Sequence, residues 1–260
     1  MQRGEQLAGK VAVVTGGGRG LGRAAALAFA AEGASVAIVS RTECELREVT
    51  RLIGSGKCIA VPGDVALEDT ALRVVAATVE TFGGVDILMN NAAVAGPFKR
   101  MEDVTMPEWD AALAVNLKGA FLFVRAVAPH MRRRGGGAII NVTSGLGSFV
   151  LSPFGLYCIA KAGLNQLTRI LALELGDAGI RVNGLDPGVM DTGMQEQIRA
   201  AGPQTFGSDT WRRFVAYKEQ GMLKPAEKAA RLALFLASPP RSLTGETGTA
   251  AHYASYGFVE

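Results

Sequence analysis

Short apolar runs alternate with longer helical stretches along the whole chain. The runs are rich in β-branched residues, mostly continuous rather than alternating in polarity, and bounded by Gly, Pro, Asp or Asn. Continuous apolar strands are typical of a parallel sheet that is buried on both faces. The sequence predicts strands at 11–14, 35–39, 58–61, 87–89, 138–142 and 181–185, and helices at 21–32, 43–53, 68–82, 107–133, 157–175 and 225–237. This alternation predicts right-handed βαβ units in a doubly wound parallel sheet flanked by helices.

The composition supports one globular domain. The chain is 48% apolar and 20% charged, which excludes a disordered or fibrous protein. No linker, low-complexity tract or repeat divides it, so residues 1–260 are predicted to form a single domain of the Rossmann-type α/β class. The 27 basic and 24 acidic residues leave a net charge of +3, which argues against a nucleic-acid partner.

Nothing in the sequence indicates a membrane or an oxidising compartment. Residues 1–10 lack the apolar core of a secretory signal. No uninterrupted apolar run approaches the roughly 18 residues that a membrane span requires. The three cysteines, Cys44, Cys58 and Cys158, are widely spaced and form no CxxC pair. We therefore expect a cytoplasmic protein with no membrane partner and no metal site.

One segment, 189–224, interrupts the alternation because it contains no convincing strand. Its aromatic residues are Phe206, Trp211, Phe214 and Tyr217. An insertion beyond the carboxyl end of a strand is placed to cover a ligand crevice in this architecture. The sequence therefore predicts a lid over a substrate pocket, with Trp211 and Phe214 in its lining. The alternative is that these aromatic residues only anchor a surface helix or a subunit contact.

A glycine-rich turn follows the first predicted strand and opens the first helix. Glycines let the backbone turn tightly and let a phosphate approach without meeting a Cβ, and the helix start supplies free N–H groups. The turn is therefore predicted to bind a dinucleotide phosphate, although its glycine spacing differs from GxGxxG. The residues assigned to this contact are Gly16, Gly18, Arg19, Gly20, Leu21 and Gly22.

The end of the second predicted strand bears on which nicotinamide cofactor binds. An acidic residue there would favour NAD by bonding the ribose hydroxyls, whereas a cation favours the 2′-phosphate of NADP. Here the strand ends in Ser40-Arg41, and Arg19 in the glycine turn could reach the same phosphate. We predict a preference for NADP(H) over NAD(H). The alternative is a solvated Arg41, with Glu43 as a ribose acceptor.

A phenol, an ammonium group and a hydroxyl form the candidate catalytic group. Tyr157 and Lys161 are four residues apart on one predicted helix, so their side chains are neighbours. A nearby cation favours the phenolate, and an oxidised nicotinamide would be a second positive neighbour. Alone, such a pair is usually a solvated helix face. Ser144 follows the preceding strand, where its hydroxyl could stabilise a substrate oxyanion while Tyr157 acts as the general acid.

The surroundings of Ser144 do not favour a serine hydrolase. There is no Gly-x-Ser-x-Gly elbow around this serine. The two histidines, His130 and His252, are not placed in a triad pattern. We therefore interpret Ser144 as an electrostatic partner of Tyr157 rather than as a nucleophile.

Taken together, these residues resemble the short-chain dehydrogenase/reductase family in its single-domain branch, over residues 9–248. The glycine turn matches the family's cofactor turn, and Asn90-Asn91-Ala92-Ala93 matches its Asn-Asn-Ala-Gly segment. Asp64-Val65 matches the pair that contacts adenine, and Pro187-Gly188 with Thr192 matches the loop around the nicotinamide. The matches to the catalytic tetrad are Asn116, Ser144, Tyr157 and Lys161.

The resemblance implies a mechanism and an assembly. NADPH would pass hydride to a substrate carbonyl carbon while Tyr157 protonates the oxygen and Ser144 orients it. Lys161 would hold the nicotinamide ribose and acidify Tyr157, and Asn116 would hold a water that links Lys161 to solvent. The ligand would be a small carbonyl compound or secondary alcohol, in a pocket that includes Ser144, Leu146, Tyr157, Trp211 and Phe214. Family members are mostly homodimers or homotetramers, paired through the 107–133 and 157–175 helices.

Two departures from the family pattern bear on these implications. Ala93 replaces the usual glycine, and the segment after Thr244-Gly245 lacks the usual Val-Asp-Gly-Gly. The second departure leaves the usual tetramer contact open. The alternatives are an NAD-preferring alcohol dehydrogenase, a catalytically idle dinucleotide-binding sensor or scaffold, and an epimerase or dehydratase with a tightly held cofactor.

Overall fold

Parallel strands form the centre of the fold. The computed structural model describes residues 5–259. Its strands are β1 (Val11–Thr15), β2 (Ser35–Ser40), β3 (Cys58–Pro62), β4 (Ile87–Asn90), β5 (Gly137–Val142), β6 (Ile180–Leu185) and β7 (Thr247–Gly248). They form one seven-stranded parallel sheet in the order β3-β2-β1-β4-β5-β6-β7. The predicted doubly wound sheet is confirmed, with β7 as a strand that the sequence did not predict.

The helices follow the strands in the predicted alternation. They are α1 (Gly20–Ala31), α2 (Glu43–Ile53), α3 (Glu68–Phe82), α4 (Met106–Leu113), α5 (Gly119–Arg133), α6 (Gly155–Leu175), α7 (Gly193–Ala200), α8 (Gly202–Phe206), α9 (Ser208–Glu219), α10 (Ala226–Ala237) and α11 (Ala250–Ala254). The segment predicted as a lid consists of α7, α8 and α9. Met190 pairs with Lys224 in an isolated bridge, so the two ends of this segment meet.

Both faces of the sheet are buried, which explains the continuous apolar strands. Alternate residues of a strand point to opposite faces. In β1, Ala12 and Val14 face the layer of α1, α2 and α10, whereas Val13 faces the layer of α3, α5 and α6. In β4, Met89 faces the first of these layers and Leu88 faces the second. Neither face is left to solvent, so alternation of polarity is not required.

The helix predicted at 107–133 is interrupted. Between α4 and α5, residues Ala114–Lys118 form a π-helical turn, which widens the helix at the point where Asn116 lies. The run Met106–Arg133 is long and apolar enough to cross a membrane by length and composition, a signal that a count of uninterrupted apolar residues missed. Half of its most apolar window is buried inside the fold, as in the core helices of globular proteins.

The strand order places a crevice above β1 and β4. The chain proceeds from β1 to β2 and β3 on one side and returns to β4 on the other. At such a switch point the loops that follow the strands separate, and ligands bind outside the carboxyl ends. The glycine turn follows β1, and Ser144 follows β5 at the same edge of the sheet.

The termini limit two of the sequence predictions. The expectation that no secretory signal is present concerns residues 1–10, of which 1–4 lie outside the described residues. Residue 260, the end of the predicted single domain, also lies outside them.

Candidate active site

A single long cleft joins the predicted cofactor and substrate residues. Its volume is about 800 Å³, which is in the range of small-molecule sites. The predicted site residues in its lining are Gly16, Gly18, Arg19, Gly20, Leu21, Arg41, Asp64, Val65, Asn91, Ala92, Ser144, Leu146, Tyr157, Lys161, Pro187, Gly188, Thr192 and Phe214. The predicted residues outside the lining are Gly22, Asn116 and Trp211.

The glycine turn has the geometry of a phosphate cradle. Gly16 and Gly20 have φ angles of 65° and 53°, in the left-handed region that favours glycine. A Cβ at Gly22 would overlap the Gly16 carbonyl, so Gly22 allows the turn to pack rather than lining the cleft. The first turn of α1 contains no acidic residue, and its N-terminus has no side-chain cap. Its free N–H groups therefore fit the pyrophosphate of a dinucleotide.

Asn91 braces this turn with its side chain. Its Nδ2 donates to the carbonyl oxygens of Thr15 and Gly16 at 2.9 and 3.2 Å. The Thr15 hydroxyl accepts hydrogen bonds from the backbone N–H groups of Asn91 and Ala92 at 2.9 and 3.1 Å. The carboxyl ends of β1 and β4 are thereby tied together. Asn91, predicted to contact the cofactor, lines the cleft while its amide group holds the protein's own backbone.

The opposite end of the cleft contains the residues predicted to meet the adenosine. Arg41 is exposed in the lining, and within residues 5–259 it forms no ion pair. Asp64 Oδ1 accepts a hydrogen bond from Ala66 N at 2.9 Å. Glu43 lies outside the lining and pairs with Arg47 at 3.1 Å. The alternative role of Glu43 as a ribose acceptor is therefore disfavoured, because its carboxylate is paired with Arg47 outside the cleft lining.

The candidate catalytic side chains converge at the carboxyl end of β5. The Tyr157 hydroxyl is hydrogen bonded to the side chain of Ser144, whose Oγ also accepts from Leu146 N at 3.2 Å. Lys161 is only 2% exposed, and its Nζ donates to the Val142 carbonyl at 2.7 Å. The same Nζ lies 5.5 Å from the centre of the Tyr157 ring. The pair is thus part of a sheltered site rather than a solvated helix face.

The pKa values of this group differ from the expectation. Burial raises the pKa of the Tyr157 phenol, the Ser144 hydrogen bond lowers it less, and the nearby Asp186 carboxylate raises it further. The predicted acidification by Lys161 also depends on a bound positive nicotinamide, so it stays a prediction. Burial lowers the pKa of Lys161 to about 8, partly offset by Asp186. Burial outweighs the effect of Ser144, so the Tyr157 phenol keeps its proton at neutral pH.

Asp186 is a site residue that the sequence interpretation missed. It follows β6 directly and lines the cleft, and its Oδ1 accepts a hydrogen bond from Gly188 N at 2.9 Å. Its charge acts on both Tyr157 and Lys161. The available signal was its position immediately before Pro187-Gly188, because carboxyl ends of parallel strands meet at one edge.

Asn116 supports the site from the π-helical turn. It is 2% exposed, its Nδ2 donates to the Val94 carbonyl, and its Oδ1 accepts from Val94 N, both at 3.0 Å. The side chain therefore fixes the loop that follows β4. The side-chain amide keeps one N–H group and one oxygen lone pair, and its link through a water to Lys161 stays a prediction.

An aromatic cluster encloses the substrate end of the cleft. Phe154 packs against Phe206 and Phe214 with ring centres 5.3 and 5.9 Å apart. Phe214 and Leu146 line the cleft as predicted. Trp211 does not, because its indole Nε1 donates to the Arg199 carbonyl at 3.0 Å and joins α9 to α7. The further lining residues include Met194, Ile198 and Tyr217 in the segment predicted as a lid, and Phe149, Leu151 and Phe154 between β5 and α6.

Comparison with known proteins decides the family. A family model described as short chain dehydrogenase matches residues 10–202. The chain belongs to the short chain dehydrogenase family. It is therefore an oxidoreductase of a family that uses nicotinamide cofactors, acts on small molecules and typically forms oligomers.

Relatives of this dehydrogenase cover most of its length. It is 40% identical over 196 residues to an uncharacterized oxidoreductase of Thermotoga maritima, covering 74% of this chain and 77% of the relative. It is 38% identical over 189 residues to the 2,5-dichloro-2,5-cyclohexadiene-1,4-diol dehydrogenase LinX of Sphingobium indicum, covering 72% and 75% of the two chains. The crystal structure of levodione reductase matches with a TM-score of 0.86 and 29% identity, covering 96% of this chain and all (100%) of that one.

The C-terminal segment of the dehydrogenase has its own anchoring. β7 pairs with β6, and α11 follows it in the chain. Tyr253 is fully buried, and its hydroxyl donates to the carbonyl oxygens of Gly184 and Glu246 at 2.7 and 3.0 Å. A buried tyrosine thus stabilises the segment that lacks the family's Asp-Gly-Gly. The other departure, Ala93, lies in the cleft lining.

Proposed function

We propose that this dehydrogenase is an NADP(H)-dependent carbonyl reductase and alcohol dehydrogenase in which Tyr157 is the general acid and base. The observation that supports it most is the convergence of Tyr157, Ser144 and Lys161 at one end of the cleft. The cleft continues without interruption from these side chains to the glycine turn. A substrate carbonyl can therefore lie between the phenol and a nicotinamide.

Each residue of the candidate catalytic group has a separate role in the proposed reduction. A bound nicotinamide cofactor supplies the hydride for the carbonyl carbon. Tyr157, kept neutral by burial, donates its proton to the carbonyl oxygen. Ser144 donates a hydrogen bond to that oxygen as negative charge develops on it. Lys161 places a positive charge 5.5 Å from the centre of the Tyr157 ring, which stabilises the phenolate that remains, and it would hold the ribose of a bound cofactor.

The proposed cofactor preference depends on two guanidinium groups. Arg41 is exposed at the adenosine end of the cleft, and Arg19 lines the same end from the glycine turn. Charge-assisted hydrogen bonds from arginine suit a 2′-phosphate. Glu43, the competing ribose acceptor, is paired elsewhere. These contacts favour NADP(H) over NAD(H).

Arg41→Asp is expected to shift this preference toward NADH. We expect kcat/KM for NADPH to fall by about 10–100-fold, because a charge-assisted hydrogen bond contributes about 1.5–3 kcal/mol. The value for NADH should stay constant or rise. Arg47→Asp is the matched control, since Arg47 lies on α2, the helix that follows Arg41, but outside the cleft lining. An unchanged ratio of the two kcat/KM values in Arg41→Asp would place the 2′-phosphate elsewhere.

We also propose an apolar, ring-containing ketone as the substrate. The rings of Phe149, Phe154, Phe214 and Tyr217 line the end of the cleft that holds the candidate catalytic group. Two of the similar proteins are named for levodione and for a cyclohexadiene diol. The test is NADPH consumption with matched cyclic and linear ketones. Faster turnover of the cyclic members supports the proposal. Cofactor binding without turnover of any ketone would favour an idle sensor or scaffold.

We propose that the enzyme is a cytoplasmic homodimer or homotetramer. Its exposed large apolar side chains include Phe121 on α5 and Ile159, Ile170 and Leu173 on α6, with Leu173 84% exposed. Exposed apolar faces of this kind are typical of subunit contacts. Light scattering on the purified protein measures the mass directly. A monomer at micromolar concentration would contradict the proposed assembly.

A further inference from the structure

The adenosine end of the cleft contains a carboxylate with no assigned role. Glu45 lies on the first turn of α2 and lines the cleft together with Arg19, Ser40 and Arg41. Its Oε1 is 3.7 Å from Arg19 Nη1. Its side chain is 30% exposed, compared with 71% for Arg19. The more sheltered partner of this ion pair is therefore the acid.

Glu45 also touches the backbone where a cofactor would pass. A Cβ built on Gly18 would lie 3.1 Å from Glu45 Oε2 and 3.2 Å from Ser40 Oγ. Glu45 therefore lies against the glycine turn, in the same lining as Ser40 at the end of β2. In this fold the adenosine ribose lies between those two elements. A carboxylate here can accept hydrogen bonds from ribose hydroxyls, and it repels a phosphate group.

The charges at this end of the cleft are balanced rather than strongly positive. The same lining contains two positive side chains, Arg19 and Arg41, and two negative ones, Glu45 and Asp64. Arg19 is already paired, whereas Arg41 has no ion-pair partner within residues 5–259. A 2′-phosphate would therefore find one available guanidinium and would have to compete with Glu45 for the other.

We propose that Glu45 is a cofactor-selectivity residue whose carboxylate competes with the cofactor 2′-phosphate for Arg19 and moderates the preference for NADP(H). This inference rests on the proposed function, because it assumes that Arg19 and Arg41 bind the 2′-phosphate. In other dinucleotide-binding domains an acidic residue at the end of the second strand disfavours NADP by binding the ribose. Here the acidic residue would be on the helix that follows that strand.

Calorimetry with nucleotide fragments tests the inference without turnover. The probes are adenosine 2′,5′-bisphosphate and adenosine 5′-monophosphate, titrated into the wild type and into Glu45→Gln at low ionic strength. Removing the competing charge is expected to tighten binding of the bisphosphate by about fivefold, the upper end for an exposed ion pair. Binding of the monophosphate should not tighten. The ratio of kcat/KM for NADPH to that for NADH should rise by a similar factor.

Glu43→Gln is the matched control for this experiment. Glu43 is two residues away on the same helix turn, outside the cleft and paired with Arg47, so this variant should bind both nucleotides like the wild type. Equal effects of Glu43→Gln and Glu45→Gln, or no effect of Glu45→Gln, would overturn the inference. Equal wild-type affinity for both nucleotides would overturn the NADP(H) preference instead. Tighter bisphosphate binding by Glu45→Gln would still support the role of Glu45.

Discussion

Tyr157→Phe should lower kcat/KM for ketone reduction by about 10³-fold or more while the cofactor still binds. The substitution removes only the hydroxyl group, which is hydrogen bonded to Ser144 and is the proposed proton donor. The ring itself packs against Phe154 with centres 6.5 Å apart, and phenylalanine retains that contact. Steady-state kinetics would measure the loss, and fluorescence titration with NADPH would measure the remaining affinity.

A second tyrosine in the same cleft provides the control. Tyr217 also lines the cleft, and its ring packs edge-on against Phe214 at 6.0 Å. Tyr217→Phe should keep most of the wild-type activity, because its hydroxyl has no proposed part in proton transfer. Near-wild-type turnover by Tyr157→Phe would contradict the acid role. Equal losses in both variants would point to a general effect of hydroxyl groups in the pocket.

Lys161→Met should lower kcat/KM by about 10²–10³-fold. The ammonium group is buried, donates to the Val142 carbonyl and lies against the Tyr157 ring, so its loss removes the charge that stabilises the phenolate. Methionine retains a chain of similar length. The Val142 carbonyl loses a donor, which costs about 1–3 kcal/mol of unfolding free energy. The thermal unfolding of Lys161→Met therefore has to be measured together with its kinetics. Activity within a few-fold of the wild type would contradict this role.

The same lysine predicts a pH dependence. Burial lowers the pKa of Lys161 to about 8, so the group is charged below that pH and neutral above it. If the charge is required, kcat/KM for reduction falls as the pH rises through about 8, since this parameter reports the free enzyme. Lys161→Met should lack this decrease, whereas Lys57→Met, at an exposed position, should retain it. A decrease that persists unchanged in Lys161→Met would assign it to another group.

The sequence predicted the strands that form long apolar runs and are buried on both faces of the sheet. It missed β7, which contains no such run. β1 and β4 are continuous apolar segments, and their burial on two sides leaves a clear pattern. β7 has two residues, Thr247 and Gly248, and it exists because β6 offers a free edge. The π-helical turn at Ala114–Lys118 contains no Gly or Pro, and its Asn116 is hydrogen bonded to the Val94 backbone, a long-range contact that the sequence does not show.

At the candidate site, motifs predicted which residues come together but not where each side chain points. Tyr157, Ser144 and Lys161 meet as their spacing predicted. Trp211 turns into the lid to satisfy its indole N–H, a buried-donor requirement that depends on tertiary structure. Asp186 lies at the site because β5 and β6 are aligned, and the sequence marks it only by its position before Pro187-Gly188. Helix position does not reveal that Glu45 faces the cleft and Glu43 does not.

Transfer of isotope from cofactor to product tests the central claim most directly. The enzyme is incubated with NADPH deuterated at either C4 position and a cyclic ketone, and the alcohol is examined by mass spectrometry. We predict deuterium on the carbinol carbon from one of the two labelled cofactors, and almost none when Tyr157→Phe replaces the wild type. Alcohol formed without deuterium from either cofactor, or labelled equally well by Tyr157→Phe, would contradict it.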